Sequence, residues 1–375
     1  MEIGRVMIVG MGLIGGSLAM ALRDADLGTR IFAVDADPAT VERAVASGIA
    51  DEGCTVDNEL VDEALASGEV DLVVLAMPAG FADGMFRRIE ESGYRGVITD
   101  TASTKGRICE AARAILTDGS AFIPGHPMSG SEVSGLDGAT KDLFGGKYWI
   151  LCPDEHTNGE MFLALHALVT SLGAKCISID RDEHDAMVAV ISHVPHMTAS
   201  ALMELASRRA AGRDELIRLA AGGFRDSTRI AAGSPSLWTG IALDNAGPIA
   251  DALGELIGIL QGVESMIADR DPEGIEGFLA RASSARRSIP ARWLPASEKL
   301  TIMMVSMENH VGVVAEVTAA AGKCGCNIQS IGIEHITDET AVLEMILTDE
   351  GDIPELTKQL RSQGYKLVAH SYDGQ

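Results

Sequence analysis

The 375-residue sequence has few aromatic residues, few cysteines and no long apolar run. No apolar run reaches the ~18 to 20 residues that cross a bilayer, and the first residues lead directly into a strand pattern rather than a signal peptide. The six cysteines are scattered, and none has partners at zinc-ligand spacing. We therefore expect small buried cysteines, no metal site, no membrane partner and a reducing, cytoplasmic location.

Basic charge is also scarce. Lys and Arg total 30 against 54 Asp and Glu, for a formal net charge of −24, which argues against nucleic acid because phosphate binding needs clustered cations. Hydrophobic residues make up 46% of the chain, as in a soluble globular protein. Because one domain typically holds ~100 to 150 residues, the length predicts two or three domains.

Short apolar strands alternate with helical segments from Val6 onward. The strands "VMIVG", "IFAVD", "DLVVLAMP" and "GVITD" are interleaved with helices at 14–23 and 38–47, which predicts βαβ units and a parallel sheet covered on both faces. Two later runs, Tyr148 to Pro153 and Ala174 to Ile179, are expected to complete that sheet. Residues 1–182 are therefore predicted to form a Rossmann-type α/β domain.

The sequence changes character after residue 182. Residues 183–290 are rich in Ala, Leu and Arg at helical spacing and predict an all-helical domain, and the proline-containing stretch 291–298 predicts a linker. Residues 299–375 follow the order βαββαβ, which predicts a ferredoxin-like unit.

Three glycines follow the first strand and open the first helix. Gly10 permits a tight turn, Gly12 lets a pyrophosphate approach the backbone, and Gly15 lets helix and strand pack closely. Asp35 ends the second strand, where a carboxylate binds ribose hydroxyls and repels a 2′-phosphate. The pattern predicts NAD binding, and NADP stays open because arginines lie nearby. The predicted cofactor-binding residues are Gly10, Gly12, Leu13, Ile14, Gly15, Asp35, Ala76, Pro78 and Thr101.

Four polar patches stand out further along the chain: "TDTASTKG" at 99–106, "GHPMSGSEVSG" at 125–135, "SHVPH" at 192–196 and "GGFRDSTRIAAGSPSLW" at 222–238. The third is predicted to put its two histidines at the head of a helix. Each patch alone has an ordinary structural explanation, because a histidine is more often a structural hydrogen-bonder than a catalyst. Together with the glycine loop, and in this order, they resemble the prephenate and arogenate dehydrogenases. The resemblance covers about residues 3–290.

The resemblance implies NAD-dependent oxidation of prephenate to 4-hydroxyphenylpyruvate with loss of carbon dioxide. It implies that His126 is the base that takes the proton of the substrate hydroxyl, and that Arg229 binds the ring carboxylate. Ser103 would bond near the nicotinamide and the hydroxyl and help to orient His126. These three are the predicted catalytic residues.

The resemblance also implies a substrate pocket in a homodimer. His196 would face the substrate side chain with Ser192 and His193 beside it, and Trp238 can reach across from a partner subunit in that family. Arg225 stands where either Lys or Arg is expected. The predicted substrate-binding residues are His196, Ser192, His193, Ser131, Glu132, Asp226, Gly222 and Trp238.

The tail, "MENHVGVVAEVTAAAGKCGCNIQSIGI" onward, resembles an ACT domain, a small-molecule sensor of amino-acid enzymes. Such a domain implies feedback by tyrosine, although Gly312 could equally serve only the turn before a helix. The predicted regulatory residues are Asn309, His310, Gly312, Asn327 and Ile328.

Three alternatives stay open at this point. The first is an arogenate or cyclohexadienyl dehydrogenase, because arogenate differs from prephenate only in carrying an amino group where prephenate has a keto group on its side chain. A cofactor-bound amino-acid sensor without catalysis is the second, but it has no chemical reason to keep His126, Ser103 and Arg229 together. A β-hydroxyacid dehydrogenase, the third, needs a catalytic lysine after the sheet, and the sequence has no lysine between Cys176 and Ser297.

Overall fold

The computed structural model describes residues 3–131, 133, 135–210, 222–288, 300–308, 310–335, 340–348 and 350–372. Contacts divide the chain into two compact units, Met1–Gly262 and Val263–Gln375. Each unit is described by itself. The predicted domain boundaries at residues 182, 290 and 298 stay predictions, and the predicted linker 291–298 lies outside the described residues.

The first unit is built on a parallel sheet of six strands. They are β1 (Arg5–Val9), β2 (Arg30–Asp35), β3 (Glu52–Thr55), β4 (Leu72–Leu75), β5 (Val97–Asp100) and β6 (Phe122–Ile123), in the spatial order β3-β2-β1-β4-β5-β6. The helices between them are α1 (Leu13–Asp24), α2 (Pro38–Ala46), α3 (Leu60–Ala66), α4 (Ala82–Ser92) and α5 (Gly106–Ile115). This strand order is that of a dinucleotide-binding fold, in which ligands bind where the order reverses, between β1 and β4.

Both faces of this sheet are buried, which explains its unbroken apolar strands. Along β1, Val6 and Ile8 belong to one buried cluster, whereas Met7 and Val9 belong to the other. Alternate side chains of a strand point to opposite faces, so a strand covered on both sides needs apolar residues at every position. The predicted parallel sheet is confirmed.

The prediction that the two later apolar runs complete this sheet is wrong. They form β8 (Tyr148–Leu151) and β9 (Lys175–Ser178), which join β7 (Gly125–Pro127) in a separate sheet of order β7-β8-β9, with α6 (Gly159–Ser171) between β8 and β9. Pro124 follows β6 directly and has no N–H to donate to a ladder, and β7 then pairs antiparallel with β8. The motif around His126 therefore begins as a strand rather than a loop.

Helices make up the described remainder of the first unit. They are α7 (Arg181–Val188), a π-helical turn (Ala189–His193), α8 (Val194–Ala210), α9 (Gly222–Thr228), a 3₁₀ turn (Arg229–Ala232), α10 (Pro235–Asp244) and α11 (Ala246–Ala268). The last six residues of α11 belong to the second unit, where α12 (Pro272–Ser288) follows. The helical character predicted after residue 182 is confirmed.

The "SHVPH" motif does not open a helix as predicted, but lies inside the continuous helical stretch Arg181–Ala210. Pro195 lacks the N–H that a residue inside a helix donates to the preceding turn. The π-helical turn Ala189–His193 comes directly before it, and such turns occur as local irregularities within α-helices. By length and composition alone the stretch could cross a membrane. Its three histidines, His184, His193 and His196, are buried.

The tail forms an antiparallel sheet with two helices. The elements are β10 (Leu300–Glu308), α13 (Val313–Lys323), β11 (Ile328–His335), β12 (Thr340–Thr348), α14 (Ile353–Ser362) and β13 (Lys366–Tyr372), with spatial order β11-β12-β10-β13. Val317 and Leu360 of the helices share one buried cluster with Met303 and Leu343 of the strands. The βαββαβ order agrees with the sequence prediction, whereas the ACT assignment stays a prediction.

The predicted regulatory turn precedes α13. Gly312 has a φ of +96°, a left-handed conformation that favours glycine. His310 and Asn327 are exposed and Ile328 is half-buried, and Asn309 lies outside the described residues.

Candidate active site

The glycine loop between β1 and α1 has the geometry of a phosphate cradle. Gly10 has a φ of +101°, and a Cβ at Gly15 would lie 1.9 Å from the carbonyl oxygen of Gly10, so both positions require glycine. A Cβ at Gly12 would meet nothing within 4 Å. The space in front of Gly12, at the N-terminus of α1, therefore fits a pyrophosphate that needs close backbone approach and the positive end of the helix dipole.

Asp35 reaches from the end of β2 to this loop. Its Oδ2 accepts a hydrogen bond from the N–H of Met11 at 2.7 Å, and its Oδ1 accepts one from the N–H of Asp37 at 3.0 Å. Asp35 is half-buried at the edge of the cradle, where its carboxylate can accept hydrogen bonds from ribose hydroxyls.

The two arginines near Asp35 in sequence are engaged with other carboxylates. Arg43 pairs with Asp137, and Arg30 lies 3.8 Å from Glu52. A 2′-phosphate would need such a cation beside Asp35, so these contacts favour NAD over NADP.

The other predicted cofactor residues follow the carboxyl ends of neighbouring strands. Leu13 and Ile14 begin α1, Ala76 follows β4, and the N–H of Thr101 after β5 bonds to Leu75 O at 3.1 Å. All four are half-buried, whereas Pro78 is exposed. Because parallel strands end at the same edge of a sheet, the structure brings these residues to one crevice.

His126 lies on β7 and is buried, with 9% of its surface exposed. Its Nδ1 is 2.9 Å from Nε2 of His184. Burial lowers the pKa of His126 well below 6.5, and the positive charge of Lys105 and the nearby His184 and His193 lower it further. The imidazole is therefore neutral near pH 7, as a general base must be.

A buried ion pair holds the residue before His126. Lys105 and Asp100 are fully buried and paired. Lys105 Nζ donates to Gly125 O at 2.6 Å, and Asp100 Oδ1 accepts from Gly125 N at 3.0 Å. Asp100 ends β5, so the pair ties His126 to the edge of the sheet that carries the cofactor crevice.

Asp185 connects His184 to the start of α5. Its Oδ1 lies 2.8 Å from His184 Nδ1 and accepts from Lys105 N at 2.8 Å, while Oδ2 accepts from Gly106 N at 2.8 Å. Burial opposes ionisation, but these three hydrogen bonds outweigh it and lower the pKa of Asp185. The carboxylate is thus a fixed negative charge two side chains away from His126.

His193 is held from the other side by Asn245. Asn245 Nδ2 donates to Asp185 O at 2.8 Å and lies 3.1 Å from His193 Nδ1. Burial lowers the pKa of His193 to about 4. Because Nδ1 accepts a hydrogen bond in this neutral ring, the proton of His193 lies on Nε2. Ser192 beside it is half-buried.

His196 stacks on Trp238 of the same chain, with ring centroids 3.5 Å apart and an angle of 12° between the planes. The contact therefore needs no partner subunit. A Cβ at Gly233 would lie 2.6 Å from Trp238 Nε1 and 3.1 Å from His196 Cε1, so this glycine permits the stack. His196 Nδ1 is buried and has no hydrogen-bond partner among the described residues, and the contact of His196 with substrate stays a prediction.

The remaining predicted residues differ in their exposure. Ser103 is half-buried, two residues before Lys105, and Arg229 begins the 3₁₀ turn that packs on α8. Gly222, Asp226, Arg229 and Ser131 are exposed. Glu132 lies outside the described residues. The contact of Ser103 with His126 and the contacts of Arg229 with substrate stay predictions.

Sequence reasoning missed five residues that hold the histidines in place: Asp100, Lys105, His184, Asp185 and Asn245. Asp100 and Lys105 lie within the quoted patch "TDTASTKG", and their burial could not be inferred from it. His184 and Asp185 stand in "RDEHD", which looks like an ordinary charged helix start.

The fold and the site together define a nucleotide-binding oxidoreductase in which a helical segment supplies histidines to the edge of the sheet. The family model "Prephenate dehydrogenase, nucleotide-binding domain" matches residues 18–178, and "Prephenate dehydrogenase, dimerization domain" matches residues 180–281. The chain belongs to the prephenate dehydrogenase family.

Individual relatives agree with this assignment. A prephenate dehydrogenase of Bacillus subtilis (strain 168) is 30% identical over 92% of this chain and 93% of its own. The crystal structure of the Aquifex aeolicus prephenate dehydrogenase with hydroxyphenyl propionate and NAD⁺ is 27% identical, with a TM-score of 0.72 over 77% of this chain and 99% of that one. The Synechocystis arogenate dehydrogenase structure is 28% identical, with a TM-score of 0.64 over 76% and 99%.

Proposed function

We propose that this protein is an NAD-dependent prephenate dehydrogenase, which oxidises and decarboxylates prephenate to 4-hydroxyphenylpyruvate. The observation that carries the proposal is the buried, neutral His126 tied through Gly125 and Asp100 to the edge of the nucleotide-binding sheet. The family and the B. subtilis relative support the substrate.

The glycine loop, Asp35 and the start of α1 would hold NAD, which supplies a hydride acceptor when bound. His126 Nε2 would take the proton of the substrate hydroxyl as the hydride leaves the ring carbon that bears this hydroxyl. Arg229 would hold the ring carboxylate until it departs as carbon dioxide, since a guanidinium grips both oxygens at once. His196 and Trp238 would form the wall beside the substrate side chain.

The test is an absorbance assay for NADH with purified protein, NAD and prephenate, and with NADP in a parallel reaction. Arg229→Ala should raise KM for prephenate with little change in KM for NAD, and Arg209→Ala, an arginine on α8, serves as the matched control. Absence of turnover with prephenate and arogenate would contradict the proposal.

Arogenate is the second candidate substrate, favoured by the similarity to the Synechocystis arogenate dehydrogenase. The same assay with arogenate decides between the two by the ratio of kcat/KM values.

We further propose a cytoplasmic homodimer that tyrosine inhibits through the tail. Dimerisation is supported by the matched dimerization-domain model and by four exposed apolar residues, Leu205, Leu243, Ile257 and Leu260. The six free thiols suit a reducing compartment.

The left-handed conformation of Gly312, before α13, supports a ligand-binding turn in the tail. Light scattering would measure the mass, and an assay with tyrosine would measure inhibition, which Gly312→Ala should weaken.

A further inference from the structure

His126 is the end of a chain of hydrogen bonds that leads into the protein. His126 Nδ1 lies 2.9 Å from His184 Nε2, and His184 Nδ1 lies 2.8 Å from Asp185 Oδ1. His184 is fully buried and Asp185 nearly so. The three groups come from β7 and α7, 58 residues apart along the chain at the His126–His184 contact.

The carboxylate of Asp185 fixes the direction of these hydrogen bonds. An ionised Asp185 can only accept hydrogen bonds, so the proton of a neutral His184 must lie on Nδ1. His184 Nε2 is then a lone pair, and the contact to His126 is a hydrogen bond only if His126 Nδ1 carries the proton. The other nitrogen of His126, Nε2, is consequently unprotonated.

We propose that His184 is a positioning residue that, with Asp185, fixes His126 in the tautomer whose Nε2 is free to accept the substrate proton. The inference rests on the proposed function for the role of His126 as a base. It adds a residue that touches neither substrate nor cofactor and that sets which nitrogen of the base reacts.

Backbone N–H groups hold Asp185, the last group of this hydrogen-bond series, in place. Asp185 accepts from the N–H groups of Lys105 and Gly106, which are otherwise unpaired donors at the start of α5. The carboxylate cannot rotate without breaking these bonds, so His184 and His126 are both oriented by the start of that helix.

Several cations oppose the imidazolium that forms when His126 takes a proton. They are Lys105 at the start of α5 and, when protonated, His193 in the π-helical turn and His184 on α7. Asp100 at the end of β5 pairs with Lys105, and Asp185 on α7 pairs with His184. The bond from His126 Nδ1 to a neutral His184 stabilises the imidazolium further, because a charged donor makes a stronger hydrogen bond.

The first experiment measures the tautomer directly. Ring ¹⁵N chemical shifts of the full-length, histidine-labelled protein at pH 8 distinguish a protonated nitrogen from an unprotonated one. His126→Asn identifies its signals by their loss. We expect a protonated Nδ1 and an unprotonated Nε2 for His126, and the reverse would overturn the inference.

The second experiment uses activity with prephenate or arogenate. His184→Leu removes the acceptor and should lower kcat about 10- to 100-fold, a part of what a positioned general base contributes, with little change in KM for NAD. His184→Gln keeps an oxygen that can accept from His126 Nδ1–H and should recover much of the lost kcat. His156→Gln, on an exposed histidine, is the matched control. Equal kcat values for the Leu variant and the unaltered chain, or equal losses in the Leu and Gln variants, would overturn the inference.

The two proposals fail separately. If the unaltered chain oxidises neither substrate, the proposed function is wrong, while the ¹⁵N spectrum of the same sample still decides the tautomer. If His184→Leu does not fold, the spectrum of the unaltered protein decides it as well.

Discussion

The nucleotide cradle lies at the edge of the parallel sheet, and the histidine cluster is tied to that edge through Asp100, but the two are built differently. The cradle comes mainly from one short segment, Gly10 to Gly15, and its shape depends on backbone conformation and on the absence of side chains. The cluster brings together side chains from β5, α5, β7, α7 and the helices that follow, and its properties depend on burial. The comparison shows that a backbone site can be local, whereas a tuned imidazole needs partners from distant parts of the chain.

The largest expected effect is on the chemistry of the cluster. His126→Asn should lower kcat by about 10²- to 10⁴-fold, because positioned general bases contribute that much. NAD affinity, measured by protein fluorescence or calorimetry, should be unchanged because the cradle is intact. A comparable loss in NAD affinity would show that the two regions are not separable in this way.

The next effect is on stability. Lys105→Met leaves Asp100 as an unpaired buried charge and should lower the free energy of unfolding by about 3–5 kcal/mol, measured by denaturant titration. Lys141→Met, which breaks the exposed pair with Asp24, is the matched control and should change stability little. Similar small effects for both variants would mean that the buried pair does not hold the cluster.

A pair of glycine variants tests the cradle. Gly15→Ala forces a Cβ to within 1.9 Å of Gly10 O and should lower the free energy of unfolding by about 1–3 kcal/mol. It should also weaken NAD binding. Gly12→Ala has free space, so it should leave the melting temperature unchanged but weaken NAD about tenfold, or about 1.4 kcal/mol. A loss of stability in Gly12→Ala would show that this glycine serves the fold rather than the cofactor.

The last effect is a pH dependence that the cradle does not share. Burial lowers the pKa of His193 to about 4 and that of His126 well below 6.5, so between pH 4 and 6.5 the unfolded chain binds more protons than the folded one. The free energy of unfolding should therefore fall as pH drops from 6.5, by up to about 1.4 kcal/mol per pH unit for each histidine.

His193→Gln should reduce this slope, and His156→Gln, an exposed control, should leave it unchanged. Denaturant titrations at pH 7, 6 and 5 measure it. Equal slopes in the unaltered protein and in His193→Gln would contradict the buried neutral state of that ring.

Much of the fold followed from sequence because its signals are periodic and local. The parallel sheet, the glycine loop, the helical segment and the βαββαβ tail were all predicted. The sheet that holds His126 was not, because an apolar run such as "YWIL" does not specify which strand it pairs with. The position of "SHVPH" within a longer helix was also missed, because a proline is common in the first turn of a helix and the π-helical turn before it has no sequence pattern.

The sequence by itself determined which residue types could do the chemistry: a histidine for the proton, an arginine for the carboxylate, and glycines and Asp35 for the nucleotide. Only the tertiary structure decided how His126 behaves. Its low pKa comes from burial and from the neighbouring charges of Lys105 and the histidines, its attachment to the sheet from Asp100 and Lys105, and its proposed tautomer from His184 and Asp185. Electrostatic interactions strengthen when water is excluded, and that exclusion exists only once the chain is folded.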